Sequence, residues 1–157
     1  MVGEPRCLLI VHHSHTGATA ALLRGLVAGA AEGGGDLVRT NVVHAFDASP
    51  EAVLAAAGVI LATPANFGYM SGALKDFFDR VYHPCLERTS GLPYALVVKG
   101  DSDTTGAVAS VERIVAGLRW KAVAAPLVVT GVVSATQLGA AYELGATMAA
   151  GIGDNFF

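Results

Sequence analysis

Ser14, Thr16, Gly17 and Thr19 stand where an apolar run stops and a helical pattern starts, in the stretch VHHSHTGATAALLRG (11–25). A helix N-terminus offers unpaired N–H groups and a partial positive charge, so such a turn suits an anion. The hydroxyls add donors, and Gly17 lets the backbone come close. No lysine lies in the stretch, which leaves hydroxyls and backbone N–H groups to hold whatever binds. A nucleoside-triphosphate loop needs G-x-x-x-x-G-K-[ST] and a dinucleotide fold needs G-x-G-x-x-G, and the stretch has neither. A terminal monophosphate ester fits better. The plain alternative is that Ser14 only caps the helix.

A second candidate stretch is TPANFGYMSGALKDFFDR (63–80). Loops of Pro, Gly and aromatics can line a planar ligand, because aromatic faces stack and backbone N–H groups reach ring heteroatoms. Taken singly, Phe67, Tyr69 and Met70 read as core residues at a loop end. Three histidines, His12, His13 and His15, suggest a metal, but strand alternation puts only His13 and His15 on one face. No carboxylate or thiol is close in sequence, and a closed site usually needs four ligands, so the metal reading is set aside. His15 is more useful as a neighbour of phosphate. His44 and His83 lie at element ends, where solvent would reach them.

These stretches need a frame. RCLLIVH (6–12), DLVRTNVV (36–43), GVILAT (58–63), YALVVKG (94–100) and APLVVTG (125–131) read as strands, mostly dense apolar runs suited to a sheet covered on both faces. Helices are expected between them. Leu74, Phe77, Phe78, Val81, Tyr82, Cys85 and Leu86 form one apolar stripe after a Ser71 cap, with Lys75/Asp79 and Asp76/Arg80 pairs outside and Pro84 bending or ending the helix. Val108, Val111, Ile114, Val115 and Leu118 pattern another helix. Ser49–Pro50 starts a short one over 48–56. Helices 17–32 and 137–150 are alanine-rich and weakly patterned, and Gly33, Gly34 and Gly35 end the first. Five strand–helix alternations imply a parallel sheet wound by right-handed crossovers, with ligands at the carboxyl ends of its strands. The loops at 12–17, 63–71, 100–106 and 131–136 meet there.

The 157 residues are expected to form one domain spanning 1–157. Hydrophobic residues are 53% and charged residues 15%, yet the apolar runs fall far short of the ~20 residues of a membrane span. MVGEPRCLLIV resembles neither a signal nor a transit peptide, and Cys7 and Cys85 read as reduced core thiols, so a cytoplasmic protein is expected. A net charge of −3 argues against nucleic-acid binding. Trp120 and Tyr142 are expected in the core or at a subunit contact. The tail GIGDNFF must fold back or be covered by a second subunit, which makes a homo-oligomer an expectation.

On these motifs the chain resembles a known family. S-H-T-G-A-T (14–19) is similar to the flavodoxin phosphate loop, and T-P-A-N-F-G-Y-M-S-G-A-L-K-D-F-F-D-R to the flavin-ring loop of flavodoxin-like NAD(P)H:quinone oxidoreductases and FMN reductases. The resemblance implies an α/β flavodoxin-like three-layer αβα sandwich with a five-stranded parallel sheet, order 2-1-3-4-5, binding FMN without a covalent bond. By that resemblance Ser14, His15, Thr16, Gly17, Ala18 and Thr19 surround the phosphate, and Thr63, Pro64, Ala65, Asn66, Phe67 and Gly68 line the ring. Gly100, Asp101 and Ser102, in the segment 100–106, match by position alone.

The chemistry would belong to the flavin, with no catalytic side chain and no metal. One reading is a reductase passing electrons from NAD(P)H through FMN to a quinone or similar small acceptor. A second is an electron-carrier flavodoxin, and a third a flavin-free interaction module. Carriers dock through strongly acidic surfaces, whereas 13 acidic residues here face 10 basic ones, so the reductase is preferred.

Overall fold

The structure, a computed structural model, describes residues 3–14 and 17–157. In chain order the elements are β1 (Arg6–His12), α1 (Gly17–Gly34), β2 (Val38–His44), α2 (Pro50–Leu54), β3 (Gly58–Asn66), β4 (Tyr69–Met70) and α3 (Gly72–Cys85). Then come β5 (Pro93–Gly100), α4 (Thr105–Gly117), β6 (Lys121–Ala122), β7 (Leu127–Thr130) and α5 (Ala135–Gly153).

The parallel order is β2-β1-β3-β5, with β6 and β7 both on the free edge of β5. Pro93 and Tyr94 pair with β6, and Val97 to Gly100 pair with β7. The fifth strand expected over 125–131 is β7, which starts only after Pro126, a residue with no N–H to give the ladder, and the short β6 precedes it on the same edge across a gap at 123–126. With that pair counted as one, the expected order 2-1-3-4-5 holds. The expected loop at 63–71 is partly strand: β3 runs on to Asn66 and returns antiparallel as β4, pairing Ala65 with Met70 and Asn66 with Tyr69.

Side-chain alternation splits the interior in two. Leu9, Val11, Val59, Leu61, Leu96 and Val98 face Phe77, Phe78, Val111, Val115 and Trp120 under α3 and α4. Leu8, Ile10, Ile60, Ala62, Ala95 and Val97 face Leu22, Leu26, Ala141, Met148 and Ile152 under α1 and α5. Trp120 is core, its indole N–H donating to Thr89 Oγ1 at 2.9 Å. Cys7 and Cys85 are buried free thiols.

The weak patterning of α1 and α5 has a physical cause. A Cβ on Gly29 would overlap the Tyr142 carbonyl, one on Gly33 the Ala146 backbone, and one on Gly145 the Leu26 carbonyl. The two helices meet backbone to backbone, so glycine does there what large apolar residues do elsewhere. In α3, Ser71 caps by accepting from the Leu74 N–H at 3.2 Å, and Pro84 sits in the last turn, one residue before the helix stops. The expected ion pairs form, and Arg80 also donates to the Ala45 and Ala48 carbonyls at 2.6 Å each, tying the β2–α2 loop to α3. In the tail, Phe157 folds back over Gly151, whereas Phe156 is exposed.

Candidate functional site

Three loops converge at the carboxyl edge of the sheet, and between them lies a cleft of about 200 Å³ lined by Thr19, Pro64, Ala65, Asn66, Lys99, Gly100 and Asp101. The first loop leaves β1 with the His13 N–H bonded to the Ala62 carbonyl at 3.0 Å. Ser14 is half-buried, Gly17 opens α1 exposed, and Thr19 is buried in the first turn. A methyl added at Gly17 would meet no heavy atom within 4 Å among the described residues, which leaves open space over the start of the helix. His15 and Thr16 lie outside the described residues.

The second loop is braced rather than free. The Thr63 hydroxyl donates to the Pro64 carbonyl at 2.8 Å and accepts from the Ser71 N–H at 3.0 Å, so it is spent on the loop's own shape. Phe67 (φ 52°) and Gly68 (φ 71°) make the β3–β4 turn, the pair of positive φ angles that a two-residue primed hairpin requires. Such a φ is uncommon for phenylalanine, and here it holds the ring fully in solvent beside the cleft. The expectation that Phe67 taken alone is core is overturned. Met70, in contrast, is buried, and its N–H donates to Ser110 Oγ on α4 at 3.2 Å.

The third loop presses against the second. A Cβ on Gly100 would lie 2.7 Å from Thr104 Cγ2 and 3.2 Å from Ala65 Cβ, so a larger residue there would push against the second loop. Asp101 is exposed at the cleft wall, while Ser102, also exposed, is not among the lining residues. Of the expected ligand residues, Thr19, Pro64, Ala65, Asn66, Gly100 and Asp101 come together in the cleft. Ser14, Gly17, Ala18, Thr63, Phe67 and Gly68 surround or brace it without lining it.

Lys99 is the residue the sequence reading missed. Its Nζ donates to the Gly100 carbonyl at 3.1 Å and lies 3.4 Å from Asp101 Oδ1, with the side chain only 11% exposed. The first loop carries no lysine, but β5 brings one to the same cleft. The available signal was a cation closing the otherwise apolar run YALVVKG.

Beside the cleft, His12 and His44 are register partners with ring centroids 5.5 Å apart, and His13 lies 5.3 Å from His44. His44 is half-buried, not solvated as expected, because its ring stacks on Phe46 and its Nδ1 accepts from the Phe46 N–H at 3.1 Å. Burial first, and the neighbouring His44 second, hold the His12 imidazole below its ordinary pKa. Among the described residues no group of three or more His, Cys, Asp or Glu is placed to hold a metal ion.

The donor set suits a phosphorylated planar molecule: a buried threonine hydroxyl at a helix start, an ammonium group, a proline- and glycine-shaped slot, and an exposed aromatic at the rim. The family model for NADPH-dependent FMN reductase matches residues 35–135. A flavodoxin from the domain Archaea superposes with a TM-score of 0.80 at 14% identity, covering 93% of this chain and 98% of that one. The flavodoxin-like WrbA-like protein from Agrobacterium tumefaciens gives a TM-score of 0.76 at 18% identity over 96% and 98%. The Flv1 flavodiiron core from Synechocystis sp. PCC6803 gives 0.82 at 14% identity, with 97% of this chain spanning 37% of that one. No curated protein sequence matches the chain. At these identities the solved structures speak to the fold, which is flavodoxin-like.

Proposed function

The chain belongs to the NADPH-dependent FMN reductase family and is an FMN-binding, flavodoxin-like oxidoreductase, and from that premise we propose that it takes electrons from NADPH and delivers them to a quinone or a similar small acceptor. The observation that carries this reading is the cleft where the loops after β1, β3 and β5 meet, lined by Thr19, Pro64, Ala65, Asn66, Lys99, Gly100 and Asp101. When bound, FMN supplies a ring that accepts a hydride and passes on one or two electrons. The chain's own groups then divide the work. The start of α1 with Thr19 holds the phosphate end, the Pro64–Asn66 backbone orients the ring, and Gly100 keeps the third loop close enough to limit water.

Phe67, held in solvent by its positive φ, offers an aromatic face to an incoming acceptor. A small acceptor is favoured over a protein partner because the acidic excess, 13 residues against 10, is too slight for long-range steering. The test is an absorbance spectrum of protein loaded with FMN and freed of excess, followed anaerobically by NADH and then NADPH. Bands that bleach rapidly, faster with NADPH, support the reductase. Bound flavin indifferent to both nucleotides would mean an electron carrier, and no retained flavin would mean an interaction module.

A further inference from the structure

We propose that Lys99 is the counter-ion of the ligand's phosphate, so that the charge lacking in the first loop is supplied across the cleft from β5. This rests on the FMN reading above. Alternation along β5 puts Tyr94, Leu96 and Val98 in the core under α3 and α4, and Ala95 and Val97 in the core under α1 and α5. Lys99 continues the second series, so it leaves the sheet on the face where α1 begins. Thr19, in the first turn of α1, lines the same cleft.

The amine is poorly served where it stands. Its side chain is 11% exposed, and its one ionic partner among the described residues, Asp101, lies at 3.4 Å with a fully exposed carboxylate that water screens. The Gly100 carbonyl that accepts from it also accepts from the Gly131 N–H at 2.9 Å. A cation kept from water with one shared carbonyl and one distant carboxylate still has donor capacity, and the cleft is where an anion can use it. A phosphate dianion combines the Lys99 charge with the hydroxyl and N–H donors at the start of α1, and a neutral ribityl chain would not.

The experiment compares affinities for FMN and riboflavin, which differ only by the phosphate, in wild-type protein, Lys99→Met and Lys99→Arg. The expected result is that Lys99→Met weakens FMN by about ten- to hundredfold and riboflavin by less than about twofold, with Lys99→Arg close to wild type. Added salt should weaken FMN binding to wild type more than to Lys99→Met. A lysine that merely braced Gly100 would weaken both flavins alike, and that result, or unchanged FMN affinity, overturns the assignment while leaving the FMN reading intact. Wild-type protein that binds neither flavin overturns both. Near-ultraviolet circular dichroism of the variants separates loss of the fold from loss of the charge.

Discussion

Gly106, at the start of α4, lies so close to Gly68, at the β3–β4 turn, that a single added methyl would overlap the Gly68 carbonyl oxygen. The obstacle is backbone, which cannot swing aside as a side chain can. The hairpin carrying Phe67 is therefore seated on α4 through two glycines and through the Met70 to Ser110 hydrogen bond at 3.2 Å.

Gly106→Ala should lift the hairpin and open the cleft. Overpacking of this kind costs about 1–3 kcal/mol, and FMN affinity should fall by about tenfold. Gly72→Ala, at the start of α3 just after the hairpin and with nothing within 4 Å of the added Cβ among the described residues, should leave affinity unchanged. Fluorescence titration of FMN with both variants decides the matter, and equal affinities would free the hairpin from any role in binding.

Gly29→Ala and Gly139→Ala set helix propensity against close approach. Propensity alone favours alanine by ~1 kcal/mol at either site. At Gly29 the Cβ would meet the Tyr142 backbone, so the variant should lose about 1–3 kcal/mol. At Gly139 an added Cβ would meet nothing within 4 Å among the described residues, so alanine should gain up to ~1 kcal/mol. Urea unfolding midpoints moving in the same direction would contradict the backbone-to-backbone contact of α1 and α5.

Thr63→Val removes a hydroxyl of nearly the same shape and leaves the buried Ser71 N–H without its acceptor. A loss of about 1–3 kcal/mol is expected, with Thr63→Ser close to wild type. Thermal unfolding of the two variants is the measurement, and a stable valine variant would mean that the brace contributes nothing.

Stability should also fall in mild acid through His12. Its folded pKa lies below the ordinary 6.5, so the unfolded chain binds the proton more readily. The contribution is complete above that value and is lost as pH drops below it. Between about pH 7.5 and about pH 5 the wild type should lose more stability than His12→Gln. Matching pH profiles for the two proteins would place the acid sensitivity in other groups.

How far the sequence alone reaches is clear from single residues. Arg6–His12 and the Ser71 cap follow from local pattern and match the structure, because dense apolar runs and cap chemistry are decided within a few residues. The cleft residues Thr19 and Pro64 were legible because proline and hydroxyl residues mark turns, whereas Gly100 was reached only by its position in the resemblance. Lys99 was not, since a lysine closing an apolar strand reads as the strand's wet end, and only the convergence of three loops buries it. Thr63 was expected to line the ring, and the partners of its hydroxyl, Pro64 and Ser71, are set by the hairpin that follows. His44 looked solvated because its stacking on Phe46 and its packing beside His12 depend on strand register and on the path of the next loop.

The gap between β6 and β7 bears on how copies of this protein can meet. An unbroken edge strand presents a row of free N–H and C=O groups on which another chain can extend the sheet. Here that row is interrupted over 123–126, and Pro126 has no N–H to offer at all. The broken edge is a poor template for sheet-on-sheet growth, which guards an apolar chain against aggregation from this side and leaves the loops and helix faces to govern any contact between copies.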